Sequence, residues 1–161
     1  CGSEFHPRYD VVGKEYLYKI LNARVSDPFL VNRAWFLPRR ITDEGLEKMR
    51  RAAAHLLGKH DFSAFMAAGS DTEDTVRNVK YVDIQRNGDN VEIRIFADGF
   101  LYNMVRIIVG TLTEVAFGRF GEDDVLEILK SGKRENAGMT APAEGLYLNR
   151  VEYEFPKLPY I

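Results

Sequence analysis

Residues 76–97 constrain the fold more than any other stretch of this sequence. VRNVKYVDIQR (76–86) and VEIRIFA (91–97) flank an Asn87-Gly88 pair. Asn-Gly is a strong short-range hairpin signal, because both residues tolerate positive φ. In the second run Val91, Ile93 and Ile95 alternate with Glu92 and Arg94. One face of the hairpin is therefore core and the other is wet. A lone hairpin is marginal in water, so the rest of the chain must supply elements that bury this face.

Those elements can be read in order. KEYLYKILN (14–22) alternates as a strand, with Tyr16, Tyr18 and Ile20 on one side. A Pro- and Asp-containing loop follows. Thr42-Asp43 then opens a helix in which Leu46, Met49, Ala53 and Leu56 or Leu57 recur at helical spacing, and Gly58 stands where a left-handed C-cap is expected. After the hairpin, residues from about Leu101 to Val115 read as an apolar helix ending near Gly118. A shorter helix over about Glu122–Lys130 has acidic residues in its first turn and Gly132 after its last. LYLNRVEYEF (146–155) reads as a final strand. The order β-α-β-β-α-(α)-β predicts an α+β fold of the split βαβ, or ferredoxin-like, type: a four-stranded antiparallel sheet with helices on one face.

At 161 residues, 45% hydrophobic and 29% charged, the chain is expected to form one domain with a sizeable core. No apolar run approaches the roughly 20 residues needed to span a bilayer, and no signal-peptide pattern is visible. Cys1 is the only cysteine, so no internal disulfide can form and a cytoplasmic setting is expected. The chain opens CGSEFHPRYD, without Met. Residues 1–4 read as a linker or remnant, and sequence before residue 1 is left open. The net charge of −2 argues against a uniformly basic nucleic-acid binder. Residues 33–51 nevertheless gather Arg33, Arg39, Arg40, Lys48, Arg50 and Arg51 against Asp43, Glu44 and Glu47, as a solvated helix face or a local basic surface.

Candidate chemistry is sparse. There is no Gly-rich phosphate loop, and His6, His55 and His60 lack metal-ligand spacing. His60-Asp61-Phe62-Ser63 contains the residue types of a triad, but sequence neighbours rarely converge on one another, which favours a structural role. Tyr16 and Tyr18 form either a packing pair or a stacking platform for a nucleobase. Arg106 is the one charge in GFLYNMVRIIVG (99–110). On a helical wheel it joins Tyr102, Asn103, Gly110 and Thr113 in a narrow polar stripe. Its guanidinium either snorkels to water or waits, desolvated, for a carboxylate or phosphate.

Five blocks, KEYLYKI (14–20), HDFSAF (60–65), TVRNV (75–79), GFLYNMVRIIVGTL (99–112) and TAPAEGLYLNRVEYE (140–154), together resemble the bacterial tRNA pseudouridine synthase A family. They occur in that family's order, and Phe5-His6-Pro7-Arg8 is similar to the family's entry into its C-terminal domain. The resemblance implies isomerisation of uridine to pseudouridine in the tRNA anticodon stem-loop, with no metal or organic cofactor. It also implies an Asp nucleophile, a Tyr that stacks on the target base and an Arg that pairs with the Asp. Carried over by motif, the Tyr is Tyr18, the Arg is Arg106, and Leu146 of EGLYL lines the base pocket.

The family's Asp motif, similar to GRTDAGVHA, does not occur here, and neither Asp61 nor Asp98 stands in for it. The resemblance therefore implies a C-terminal domain, inactive alone, whose partners are its own N-terminal domain, the tRNA anticodon stem-loop and a second subunit of a homodimer. The competing expectation is a free-standing ferredoxin-like RNA-binding or regulatory module. The strand at 91–97 lacks the aromatic pattern of such modules.

Overall fold

The computed structural model describes residues 11–69 and 72–153. Residues 1–4, Phe5–Arg8 and the predicted last-strand residues beyond Tyr153 lie outside them. The described residues build a mixed α+β fold from six strands and three α-helices in the order β1 (Val11–Leu21), β2 (Trp35–Phe36), α1 (Asp43–Ala54), β3 (Gly58–Asp61), β4 (Val76–Asn87), β5 (Asn90–Ala97), α2 (Met104–Ala116), α3 (Asp124–Ser131) and β6 (Leu146–Tyr153).

The four strands expected from sequence lie side by side as β6-β1-β5-β4, each pair antiparallel. The expectation of a four-stranded, wholly antiparallel sheet is nevertheless corrected. β3 adds to the β4 edge, and β2 pairs in parallel with the end of β1, through Ile20 opposite Trp35 and Leu21 opposite Phe36. Both extra strands are too short to show a period-two pattern, so nothing in the sequence separates them from loop. Gly58 has φ of +93° as expected, but it opens β3 instead of capping α1, whose C-cap is His55.

The hairpin forms as the alternation demands. Asn87 pairs with Asn90, and Gly88, at φ +59°, takes the first central position of the turn. Ile84 on β4, Val91, Ile93 and Ile95 on β5, and Tyr18 and Ile20 on β1 join one buried cluster with residues of all three helices. Helix α1 starts at Thr42, whose hydroxyl accepts from the Gly45 N–H at 3.0 Å. It buries Leu46, Met49, Ala52 and Ala53.

Helix α2 starts at Met104, three residues later than the pattern suggests, and is buried from Ile107 through Val115. The predicted polar stripe is therefore solvent-facing only at its start. Residues 137–141 lie across Gly110 and Thr111 as a strap. A Cβ on Gly110 would sit 1.9 Å from the Met139 carbonyl oxygen, so only glycine admits the strap this closely. The Gly138 N–H donates to the Thr111 hydroxyl at 2.9 Å. Thr111 and Thr113 donate in turn to the carbonyls of Ile107 and Val109, which satisfies buried hydroxyls inside an apolar helix.

Candidate active site

Arg106 stands on the first turn of α2, where the strap crosses it. Its Nε donates to the Ala141 carbonyl at 2.6 Å and Nη1 to the Asn103 side-chain oxygen at 3.0 Å. The Ala141 N–H returns a bond to the Arg106 carbonyl at 3.0 Å. Among the described residues no carboxylate lies within ion-pair distance of this guanidinium. A cation held only by neutral acceptors, at the half-buried edge of an apolar helix, retains donor capacity for an anion.

Tyr18 is enclosed. Its hydroxyl donates to the Pro142 carbonyl at 2.5 Å, and its ring meets Trp35 edge-on at 6.4 Å between centroids. Gly145 lies flat against it: a Cβ there would come within 2.7 Å of the ring. Burial pushes the phenol pKa well above its ordinary value and the Glu144 charge pushes the same way, while Arg106 opposes both. Ala141, at the end of the strap, and Pro142, the residue after it, thus tie the two predicted site residues together, Ala141 to Arg106 and Pro142 to Tyr18. Leu146, the third, pairs in register with Tyr18 across β1 and β6.

Leu146 also lines a hollow of about 240 Å³ with Tyr16, Phe100, Leu101, Tyr102, Asn103, Met104 and Val105. Tyr18 and Arg106 are not on its walls. Asn103, which binds Arg106, and Leu146, the register partner of Tyr18, are. The tyrosine of the β1 pair that faces this space is Tyr16, half-buried and edge-on to Phe100 at 5.0 Å. A larger open depression of about 810 Å³ lies past the far end of β1, between Arg24, Pro38 and the Arg40–Asp89 ion pair. It contains none of the residues singled out by motif.

The other sequence candidates have structural roles. Asp61 accepts from the Ser63 N–H at 2.9 Å and the Thr75 hydroxyl at 2.7 Å, and the Thr75 bond is the main cause of its lowered pKa. His60 meets the Leu57 carbonyl, so no His–Asp–Ser relay forms. Glu15, whose role the sequence does not reveal, is buried and accepts from the Tyr81 hydroxyl and the Asn149 amide. Burial raises its pKa, but those bonds and the charges of Arg150 and Arg94 hold it below the ordinary carboxylate value. The strap contacts of Ala141 and Pro142 have no signal in sequence beyond Gly110 and Gly138, which permit the approach.

The sequence profile of the family described as tRNA pseudouridine synthase matches residues 52–154, from the last turn of α1 through the hairpin, α2 and the strap. The chain belongs to this family. It is 48% identical over 149 residues to a tRNA pseudouridine synthase A of Thermoanaerobacter sp. strain X514, covering 92% of this chain. It is 46% identical over 150 residues to that of Acetivibrio thermocellus and 41% identical over 150 residues to that of Bacillus subtilis, each match covering 93% of this chain. The chain spans about 60% of the length of these curated relatives. The family match includes Arg106 and Leu146, and the longer alignments cover all but about a dozen residues of the chain.

Proposed function

We propose that this chain is the C-terminal domain of a tRNA pseudouridine synthase that isomerises uridine in the anticodon stem-loop. The observation that carries the reading is the state of Arg106: fixed by two neutral acceptors, beside a hollow, with no carboxylate of the described chain to neutralise it. Its anionic partner is then the nucleophilic Asp of an N-terminal domain that completes the site. The shared length with the relatives leaves room for such a segment. On this reading the domain alone is inactive, and the full-length enzyme is a cytoplasmic homodimer acting on tRNA.

The reaction breaks the glycosidic bond, turns the base and rejoins it through carbon, so uracil must be held after it is detached. A base in structured RNA must first be flipped out of its stack. The hollow offers the required surfaces: an apolar wall from Leu146 and an aromatic face from Tyr16. Motif assigns the stacking role to Tyr18. The geometry favours Tyr16 as the ring a base meets, with Tyr18 behind it holding the Pro142 turn. Excluding water at this wall strengthens the Asp–Arg attraction. The Arg side chain and the acceptors that orient it suffice for this role, and the proposal invokes no metal or organic cofactor.

The test is pseudouridine formation in an anticodon stem-loop by the full-length enzyme and its Arg106→Ala variant. Turnover is expected to fall on the order of 10²–10³-fold, as for loss of one preorganised charge-stabilising donor. Near-normal turnover would remove Arg106 from the site.

A further inference from the structure

Asn103 occupies the N-cap position of α2 with φ of +59° and ψ of 12°. Among the described residues only Asn32 and Asn103 adopt positive φ without being glycine. Left-handed backbone is costly for most side chains, and asparagine is among the residues that tolerate it. An N-cap asparagine ordinarily accepts from the second or third N–H of its helix. Asn103 makes no such capping bond. Its backbone carbonyl receives the Ile107 N–H at 3.0 Å, and its side-chain oxygen is turned instead to Arg106 Nη1. The residue also lines the hollow.

From this geometry we infer that Asn103 is the positioning residue for Arg106. The Ala141 carbonyl fixes one side of the guanidinium through Nε, and Asn103 fixes its rotation through Nη1. A flexible cation is thereby converted into a preset fork whose remaining donors are left for the anionic partner. The left-handed backbone is what brings the asparagine side chain back over its own helix start. This inference rests on the role of Arg106 given under the proposed function.

The experiment measures kcat, KM, pH profile and melting temperature for Asn103→Gly, Asn103→Asp and Arg106→Ala in the full-length enzyme. Glycine keeps the left-handed backbone without strain and removes only the acceptor. Asn103→Gly is expected to melt within a few degrees of the parent, with kcat reduced about 10-fold to 100-fold and KM nearly unchanged, because misplacement of a reacting group acts on turnover. Asn103→Asp keeps an acceptor but pairs its charge with Arg106. Its turnover is expected to be no higher than that of Asn103→Gly, because the introduced carboxylate competes with the nucleophilic Asp for the guanidinium.

If Arg106→Ala abolishes turnover while Asn103→Gly retains kcat within about twofold, the positioning role is overturned and the functional reading stands. If kcat of Asn103→Gly falls only in step with its melting temperature, the residue is structural and the inference fails. If Arg106→Ala is itself active, the functional reading fails first.

Discussion

Tyr16 and Tyr18 stand two residues apart on one face of β1, and the fold treats them oppositely. Tyr18 is fully buried, its hydroxyl spent on the Pro142 carbonyl and its ring pressed on Gly145. Tyr16 shares the strand and the alternation but lines a hollow with Leu146, Phe100 and Tyr102. What separates them is what lies opposite. Pro142 and the turn at 143–145 close over Tyr18, whereas Tyr16 shares its hollow with Asn103 at the left-handed entry into α2. An aromatic whose polar tip is satisfied and whose faces are covered supports the site. One whose face is open can meet a ligand.

The largest effect should come from emptying the closed position. Tyr18→Ala is expected to cost about 3–5 kcal/mol of folding stability by opening a cavity, read as a shift in the denaturant midpoint. Tyr18→Phe keeps the ring and loses one buried hydrogen bond, a cost of about 1 kcal/mol, with turnover of the full-length enzyme retained. A folded Tyr18→Phe enzyme without turnover would break the comparison and return the chemical role to the Tyr18 hydroxyl. Tyr16→Ala should do the reverse. Its stability is expected to fall by less than that of Tyr18→Ala, while turnover on the anticodon stem-loop falls about tenfold or more, as expected when a base-stacking ring worth about 1–3 kcal/mol is lost. Equal turnover in Tyr16→Ala and the parent would remove Tyr16 from the base site.

The same distinction explains what the sequence made legible. Period-two alternation in 91–97, the Thr42 cap and the Gly132 C-cap each encode a local rule, and the structure follows them. β2 and β3 were hidden because strands of two and four residues carry no period. The polar stripe of α2 is legible as a pattern, but its burial beyond Arg106 is not. Nothing local to 101–115 reveals that residues 137–141 will cover Gly110 and Thr111.

The site was legible as identities and not as geometry. Arg106 announced itself as a lone charge on an apolar helix, and motif singled out Leu146 and Tyr18. Which tyrosine faces the hollow depends on the 141–145 segment arriving from more than a hundred residues away. The grip of Asn103 on Arg106 depends on one backbone angle that no side-chain pattern records.

The central claim is that this chain presents Arg106 to a carboxylate it does not itself supply. Incubating the chain alone with tRNA carrying a uridine-containing anticodon stem-loop, and measuring pseudouridine formed, tests it most directly. The account predicts none from the chain alone, with formation by the full-length enzyme that is lost on Arg106→Ala. Pseudouridine made by the chain alone, and lost on Arg106→Ala, would contradict it.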